Sequence, residues 1–465
     1  MERPDKKGGR DNVGLSASAE AHHRRSKDFR TLRIREELIR NDDFEMTEIN
    51  KHTPSLRFPE FLNDGEWATA TMESIFEIKN GYTPSKSNPA YWEGGTLPWF
   101  RMEDIRKSGH ILSDSIQHIT PSAVKSAGLF PAYSIIVATT ATIGEHALII
   151  VESLANQQFT FLTKRKSFDN RIDMLYFHYF MFIIDEWCKQ NTNAGGLLSV
   201  NMEAFKKLVI PYPASLSEQR KIAECFSSID KQITATKSKL EQLKEHKRGL
   251  MQRLFPAKGK TVPELRFPEF QNDEEWEIKK LRDIATFTKG KGISKTDVAA
   301  NGATPCIRYG ELYTTYKETI TDTSSYTDLP IMDLFLSKTN DVIIPSSGET
   351  KEDIATASCI LKDGIAIGGD INIIRTSNNG IFLSYYLTYV KKNDIARIAQ
   401  GVSIIHLYNE QLHDLVVELP SSLKEQQRIA DCLLSIDNVI KSYEDKITAL
   451  ELHKRGLMQQ LFPKL

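Results

Sequence analysis

Two long stretches of the sequence place an apolar residue at alternating steps of four and three positions. Each heptad pattern runs for more than four heptads and predicts two long helices that pack together through a narrow seam. A strict repeat of about 3.5 residues also predicts a left-handed supercoil. The seam positions are Ile222, Phe226, Ile229, Ile233, Thr236, Leu240, Leu243, Lys247, Leu250 and Leu254 in the first stretch, and Ile429, Leu433, Ile436, Ile440, Tyr443, Ile447, Leu450, Lys454, Leu457 and Leu461 in the second.

Flanking residues mark the boundaries of both predicted helices. Ser215 and Glu218 precede the first pattern, and Ser422 and Glu425 precede the second, at the spacing of a capping box. Each pattern ends at Leu-Phe-Pro, so the first helix is predicted over about residues 217–253, roughly 55 Å long. Because a short linker and one compact domain separate the helices along the chain, we expect them to pack antiparallel.

The borders of the helices belong to a duplication that covers most of the chain. The segment Pro54 to Trp67 recurs as Pro263 to Trp276, and His246-Lys-Arg-Gly-Leu-Met-Gln252 recurs unchanged from His453. The contents between these borders barely resemble each other, which favours one architecture that recognises two different targets over a copy that drifted. The predicted segments are a disordered extension over 1–50, a variable domain over 54–214, a helix over 215–256, a linker over 257–262, a second variable domain over 263–421 and a second helix over 422–463.

Short apolar runs bounded by turn residues predict strands inside both variable domains. They lie at residues 134–138 and 147–151 in the first domain, and at 341–345 and 365–374 in the second, the last interrupted by two glycines. Residues 171–188 and 383–398 are predicted to be helical. The predicted fold class is α+β: two mixed α/β domains separated by an antiparallel two-helix coiled coil, with a pseudo-twofold internal repeat.

Composition narrows the possible functions only slightly. Lys and Arg number 60 against 61 Asp and Glu, so the net charge does not itself indicate a nucleic-acid partner. No apolar run is long enough to cross a membrane. Five cysteines (Cys188, Cys225, Cys306, Cys359 and Cys432) show no disulfide or metal-ligand spacing, which is typical of a reduced cytoplasmic protein.

Loops that combine basic, hydroxyl and aromatic residues are candidates for contact with DNA phosphates and base edges. For any single residue among them, a solvated surface position is the more common alternative. The candidates are Tyr82, Thr83, Lys86, Arg101, Arg106, Lys107, Thr139 and Thr140 in the first domain, and Lys289, Lys291, Arg308, Tyr309, Tyr313, Lys317, Ser346 and Ser347 in the second.

Two departures from the seam pattern indicate a second kind of site. Lys247 and Lys454 occupy seam positions, and Gly249 and Gly456 follow inside the helices, where glycine costs about 1 kcal/mol relative to alanine. One interpretation is a docking surface, formed with the seam residues, at which glycine admits a partner protein close to the backbone. The other is inheritance from the duplication near a fraying helix end.

Two motifs suggest catalysis, but each is weak. Asn88-Pro-Ala-Tyr91 resembles a loop of amino-methyltransferases but lacks the second proline, and no glycine-rich turn upstream could hold S-adenosylmethionine. Asp341, Glu349 and Lys351 approximate a nuclease triplet at compressed spacing, and Pro345 interrupts it. No phosphate-binding loop for ATP is found. We therefore predict a chain without a catalytic site, metal or cofactor of its own.

The repeated borders resemble those of type I restriction-modification specificity subunits over about residues 54–463. The resemblance rests on Leu-Arg-Phe-Pro-Glu-Phe…Trp, on Glu-Gln-x-x-Ile-Ala-x-Cys-x-x-Ser-Ile-Asp and on His-Lys-Arg-Gly-Leu-Met-Gln…Leu-Phe-Pro. The segments Gly81-Tyr-Thr-Pro-Ser, Asn156-Gln-Gln158 and Gly368-Gly-Asp370 also look like that family's recognition domains.

The resemblance implies that each variable domain binds one half of a bipartite, asymmetric site in double-stranded DNA. It also implies that the helices dock two methyltransferase (modification) subunits carrying S-adenosylmethionine, and that separate restriction (motor) subunits use ATP and Mg²⁺. The alternative is a coiled-coil scaffold whose globular domains bind proteins.

Overall fold

The computed structural model describes residues 52–126, 128–193 and 198–465. The predicted extension over residues 1–50 lies outside them. The described chain divides into two compact units: the first contains the residues up to Thr234 together with Thr448–Leu465, and the second contains Ala235–Ile447. Among the described residues, no helix is sufficiently long and apolar to span a bilayer.

The first unit is a mixed α/β structure, as predicted. Its strands form a five-stranded sheet of order β2-β9-β6-β7-β4, a three-stranded sheet of order β5-β3-β8, and the ladder β1-β10. The strands are β1 (Ala68–Thr71), β2 (Phe76–Asn80), β3 (Leu97–Phe100), β4 (Ile111–Leu112), β5 (His118–Ile119), β6 (Ser134–Ala138), β7 (His146–Ile149), β8 (Leu154–Ala155), β9 (Phe159–Lys164) and β10 (Val209–Tyr212). The helices are α1 (Met72–Ile75), α2 (Met102–Ser108), α3 (Met174–Gln190), α4 (Met202–Lys207) and α5 (Leu216–Leu254), the last of which continues into the second unit.

The second unit repeats the strand arrangement of the first and adds three short strands, β13, β18 and β22. Its sheets have the orders β12-β21-β17-β19-β15 and β13-β16-β14-β20, with the ladders β11-β23 and β18-β22. The strands are β11 (Glu277–Lys280), β12 (Ala285–Lys289), β13 (Val298–Ala299), β14 (Thr304–Ile307), β15 (Thr319–Ile320), β16 (Ser325–Thr327), β17 (Val342–Pro345), β18 (Ser347–Gly348), β19 (Ser358–Ile360), β20 (Ala366–Ile367), β21 (Ile371–Thr376), β22 (Ile405–His406) and β23 (Val416–Leu419). The helices are α6 (Leu281–Ile284), α7 (Glu311–Thr314), α8 (Lys351–Ile354), α9 (Gly380–Tyr389), α10 (Lys392–Ile398), α11 (Asn409–His413) and α12 (Leu423–Leu461).

The two five-stranded sheets have one topology despite their different sequences. In each, the edge strand β4 or β15 pairs parallel with its neighbour, and the other pairs are antiparallel. Buried apolar side chains, including Ile135 and Leu162 in the first unit and Ile343 and Ile373 in the second, fill the sheets. The duplication therefore extends through the variable domains as well as their borders.

Within the second unit, the long helices α5 and α12 pack antiparallel. Met251 and Leu254 near the end of α5 share a core cluster with Ile429 near the start of α12. Further along, Leu240 clusters with Ile440 and Ile447. The predicted seam and its direction are therefore confirmed in this unit.

In the first unit the two helices also pack antiparallel, but here the start of α5 meets the end of α12. Ile222 and Phe226 from the start of α5 share a cluster with Leu457 and Leu461 from the end of α12. The rings of Phe226 and Phe462 stack with centroids 5.6 Å apart.

The repeated opening segment is held by the first turn of a long helix. Glu218 is 0% exposed and accepts hydrogen bonds from Arg57 Nε and Nη2 at 2.7 Å each and from Trp67 Nε1 at 3.3 Å. In the second unit Glu425 accepts the same bonds from Arg266 and Trp276. The glutamates of both predicted capping boxes thus bind the opening segments, and in the second unit Ser422 Oγ accepts a hydrogen bond from the Glu425 N–H at 3.4 Å.

The two lysines in the seam, Lys247 and Lys454, each form an ion pair with an aspartate of the opposite long helix. Lys247 Nζ lies 2.8 Å from Asp437 Oδ1, and Tyr385 donates its hydroxyl hydrogen to the same carboxylate. In the first unit Lys454 Nζ lies 2.6 Å from Asp230 Oδ1, and Tyr179 donates to Asp230 at 3.0 Å. Each lysine thus links a variable domain to the opposite long helix, a role that neither sequence interpretation included.

The helix predicted over residues 383–398 is two helices. Helix α9 begins after Asn379, whose side chain accepts a hydrogen bond from the Phe382 N–H, and helix α10 starts at Lys392. Between them, Lys391 is almost buried and its Nζ lies 2.7 Å from Glu418 Oε2. This ion pair accompanies the break between the two helices.

Candidate nucleic-acid interface

Three segments that are distant in sequence meet in the first unit, and we call residues 81–83, 100–101 and 156–158 loop site 1. The Asn156 N–H donates to the Phe100 carbonyl oxygen at 3.1 Å, and Thr83 Oγ1 bonds Gln157 Oε1. A Cβ placed on Gly81 would lie 2.3 Å from the Ala155 carbonyl oxygen. Glycine is therefore needed for this loop to approach the turn so closely.

The second unit forms an equivalent site, loop site 2, from residues 289–292, 307–309 and 368–370. The Gly368 N–H donates to the Ile307 carbonyl oxygen at 2.9 Å. A Cβ on Gly290 would lie 2.1 Å from the Gly368 carbonyl oxygen. The segments that the sequence singled out in the two domains therefore occupy matching places.

Each loop site contains an arginine immediately after an interior strand of the three-stranded or four-stranded sheet. Arg101 follows β3 and Arg308 follows β14. The backbone N–H of Arg101 donates to Asp104 Oδ2 at 2.6 Å, and that of Arg308 donates to Glu311 Oε2 at 2.9 Å. Both carboxylates are buried, so each arginine backbone is fixed by an acidic residue three positions later.

The two guanidinium groups are incompletely paired within the described part of the chain. The Nε atoms of Arg101 and Arg308 are buried and have no hydrogen-bond partner there. Arg101 Nη2 lies 2.8 Å from the exposed Glu103 carboxylate, and Arg308 Nη2 lies 3.9 Å from Glu311. Both side chains are 30% exposed.

Loop site 2 borders an open cavity of about 910 Å³. Burial raises the pKa of the Tyr313 hydroxyl, and the neighbouring Tyr309 adds to the shift. The Tyr313 hydroxyl is therefore protonated near neutral pH. Burial, followed by the charge of Glu311, raises the pKa of the Cys306 thiol to about 11, so this thiol stays neutral behind the arginine. The residues lining the cavity include Ser294, Lys295, Arg308, Tyr309, Tyr313, Glu349 and Asp370.

Several further DNA-contact candidates lie at or beside the first site. Tyr82 packs inward, where its hydroxyl bonds the Ala123 carbonyl oxygen at 3.3 Å. Lys86 is exposed on the same loop, and Arg106 and Lys107 are exposed on α2. Thr139 is buried against Thr160, whereas Thr140 is half-buried.

In the second unit, Lys317 is separated from the other DNA-contact candidates. Lys289 is exposed, and Lys291 donates to the Met332 carbonyl oxygen at 3.1 Å. Lys317 instead pairs with Glu444 on α12 at 3.1 Å, so the structure does not group it with the others.

The two serines that follow β17 differ in exposure. Ser346 is buried and its hydroxyl has no partner within the described residues. Ser347 is half-buried and bonds His406 Nδ1 at 3.2 Å.

The acidic residues Asp104 and Glu311 were not predicted, although the repeated Arg-x-x-acid spacing could have revealed them.

The residues of the two suspected catalytic motifs have structural contacts. Asp341 binds Arg375 through both carboxylate oxygens at 2.7 Å each and accepts a third bond from the Lys338 N–H. Asn88 caps a short 3₁₀ helix over Pro89–Tyr91. The Asp341 carboxylate is therefore committed to Arg375 rather than free to bind a metal ion.

Gly249 and Gly456 lie in the two long helices, α5 and α12. A Cβ built on Gly249 or on Gly456 would meet no atom within 4 Å among the described residues. Neither glycine is therefore required by packing inside the chain.

A family model described as the type I restriction modification DNA specificity domain matches residues 64–245 and again 273–452. The specificity subunit of the type I restriction enzyme EcoprrI from Escherichia coli is 44% identical over 171 residues, which cover 36% of this chain and 42% of that protein. The type I restriction enzyme MjaVIII specificity subunit from Methanocaldococcus jannaschii is 26% identical over 311 residues, 62% of this chain and 69% of the relative. The matched part of this chain thus spans less than half the length of the first relative.

Solved structures show the same fold. The type I restriction-modification system S subunit from M. genitalium aligns with a TM-score of 0.58 at 17% identity, covering 89% of this chain and all of the other. A second structure, described as concerning complex assembly and conformational transition of the type I restriction-modification system, gives a TM-score of 0.52 at 13% identity over 86% of this chain and 98% of that one.

Proposed function

The chain belongs to the type I restriction-modification DNA specificity family, and on this premise we propose that each of its two units binds one half of a split, asymmetric sequence in double-stranded DNA. The observation that carries the proposal is the pair of equivalent loop sites in domains of one topology but different sequence. Each site combines a partly exposed arginine with polar loop residues, the chemistry that contacts phosphates and base edges.

We further propose that the long helices set the distance between the two half-sites. Each helix has 39 residues, roughly 58 Å at the rise of an α-helix. Half-sites read on one face of B-DNA recur at a helical turn of about 34–36 Å or its multiples. A paired strut of this length accommodates that spacing.

The helices also provide the proposed docking surface for two methyltransferase subunits. Gly249 and Gly456 leave room for a partner to approach the helix backbone. In this proposal the chain contributes recognition alone, the methyltransferase subunits bring S-adenosylmethionine, and the restriction subunits bring ATP and Mg²⁺. Partner subunits would also supply much of the phosphate neutralisation that a chain with 60 basic and 61 acidic residues lacks.

Methylome sequencing tests the proposal. A host that carries the partner methyltransferase is compared with and without this gene, and we expect one split adenine-methylation motif that appears only when the gene is present. Restoring the intact gene should restore the motif. Unchanged adenine methylation, in a host whose partner methyltransferase is shown to be active, would contradict the proposal.

A further inference from the structure

Two pairs of arginines, one member of each pair in each unit, differ in their contacts, and this contrast points to a ligand. Arg57 and Arg266 hold the opening segments, are 8% exposed and are paired through two nitrogens each with a buried glutamate. Arg101 and Arg308 are 30% exposed, and the buried Nε of each has no acceptor among the described residues. Because a buried donor without an acceptor is unfavourable, these two side chains are not at their best hydrogen-bonding arrangement in the free protein.

The same two arginines occupy one structural position in both units. Each follows the interior strand that has equivalent neighbours in the two units, β3 or β14, and each has its backbone N–H fixed by a buried carboxylate three residues later. The surrounding sequences barely match, so a residue type kept at this place in both units indicates a shared task. A merely inherited surface arginine would not need the same fixed backbone in two divergent domains.

The hydrogen-bonding geometry of the guanidinium group indicates which ligand these arginines bind. The group presents rigid pairs of donors that match the O6 and N7 acceptors of guanine in the major groove. Exposed Lys86, Arg106 and Lys107 can contact phosphates without a fixed position. In contrast, the backbone N–H of Arg101 and that of Arg308 are each held by a buried carboxylate. We propose, resting on the proposed function, that Arg101 and Arg308 each read a guanine, one in each half of the DNA site.

Selection from a pool of duplex DNA with a randomised stretch tests this with the full-length chain assembled with its partner methyltransferase subunits. Arg308→Lys keeps the positive charge but loses the paired donors. We expect the preference for guanine at one position of one half to fall roughly 5- to 100-fold, with the other half unchanged. Arg101→Lys should do the same at one position in the other half.

Matched controls separate base reading from loss of fold or charge. The controls are Arg282→Lys in the second unit and Arg165→Lys in the first. Both arginines are exposed and form hydrogen bonds outside the loop sites, so these substitutions should leave the selected sequence unchanged. Thermal unfolding should be the same for all four variants. The salt dependence of binding should also stay the same, because each substitution retains the charge.

A modified base gives a second, independent readout. Replacing the identified guanine by 7-deazaguanine removes the N7 acceptor and should weaken binding of the parent chain. It should weaken binding of the corresponding lysine variant little further, because the contact is already lost.

The outcomes distinguish this inference from the function on which it rests. If the complex that contains the parent chain enriches no sequence, the proposed function fails. If it enriches a split sequence but the lysine variants keep every base preference, or lose affinity equally for all sequences, the arginines do not read guanine and the inference alone is overturned.

Discussion

Glu218 and Glu425 show how single residues join the repeated motifs of this sequence. Each carboxylate binds an arginine and a tryptophan from the opening segment of its own unit. The next residue, Gln219 or Gln426, uses its side chain to bind the backbone just before the domain helix α3 or α9. The Glu-Gln pair therefore fastens two parts of a variable domain to the first turn of a long helix.

Removing the charge of Glu218 should destabilise the first unit strongly. Glu218→Gln leaves the buried Arg57 guanidinium without its counter-charge, and we expect a loss of about 3–5 kcal/mol in the free energy of unfolding. Urea unfolding followed by tryptophan fluorescence measures it, since Trp67 contacts Glu218 directly.

The control is an ion pair beside the same helix start. Glu60 and Lys221 lie 3.1 Å apart with both side chains nearly half exposed, so Glu60→Gln should cost less than about 1 kcal/mol. Equal losses from the two substitutions would contradict the role that we assign to Glu218.

Contacts of this kind explain which residues could not be interpreted from the sequence. The heptad pattern exposes Lys247 as an exception but says nothing about Asp437, which lies on the other helix, or Tyr385, which comes from the variable domain. The capping-box spacing at Glu218 was equally ambiguous, because the same carboxylate can bind a helix terminus or a distant arginine.

At the scale of elements, long periodic segments were predictable and short ones were not. Helix α5 runs over Leu216–Leu254, close to the predicted range of 217–253, because its seam is repeated many times. Strand β6 at Ser134–Ala138 agrees with its apolar run. Strands of two residues, such as β4 and β8, carry no detectable alternation, and their positions depend on neighbours distant in the chain.

The helix glycines give a prediction at this scale. Gly249→Ala and Gly456→Ala should each stabilise the isolated chain by about 1 kcal/mol, because alanine is the better helix former and a Cβ meets no atom at either position. If the methyltransferase subunits dock closely there, the same substitutions should weaken assembly with them. Thermal unfolding measures the first effect, and titration with the purified partner measures the second.

Two serines provide the matched controls for this pair. Ser228 and Ser435 are exposed on the same two helices, and their replacement by alanine should change neither property much. Glycine variants that gain stability and bind the partner as tightly as the parent chain would favour inheritance through the duplication over docking.

At the scale of the whole molecule, the two variable interiors share a topology that their sequences conceal. Sheet order and the placement of the parallel edge strand match between the units, although few residues do. Topology depends on burial and alternation, which many apolar sequences satisfy, so identity between residues is a poor guide to it. Repeated borders revealed the duplication, whereas the equivalence of Arg101 and Arg308 required the three-dimensional structure.

The borders of each interior meet in space, which makes exchange between the units feasible. In the first unit Ala68 pairs with Tyr212 in the ladder β1-β10, and in the second Glu277 pairs with Leu419 in the ladder β11-β23. A cassette cut at either pair therefore begins and ends in adjacent strands. The incoming interior would also bring Tyr385 to the place of Tyr179, where its hydroxyl can bind Asp230 as it binds Asp437.

Replacing residues 68–212 by a copy of residues 277–419 should give a chain whose two units recognise the same bases. The long helices pack antiparallel in both units, with the helix ends exchanged between the units. We therefore expect the methylated sequence to become an inverted repeat of the second half-site. The number of base pairs between the halves should not change, because the helices are untouched. The reciprocal exchange should yield an inverted repeat of the first half-site. Methylome sequencing distinguishes these results from a direct repeat, which would contradict the expected inversion. It also distinguishes them from retention of the original first half, which would show that bases are read outside the exchanged interior.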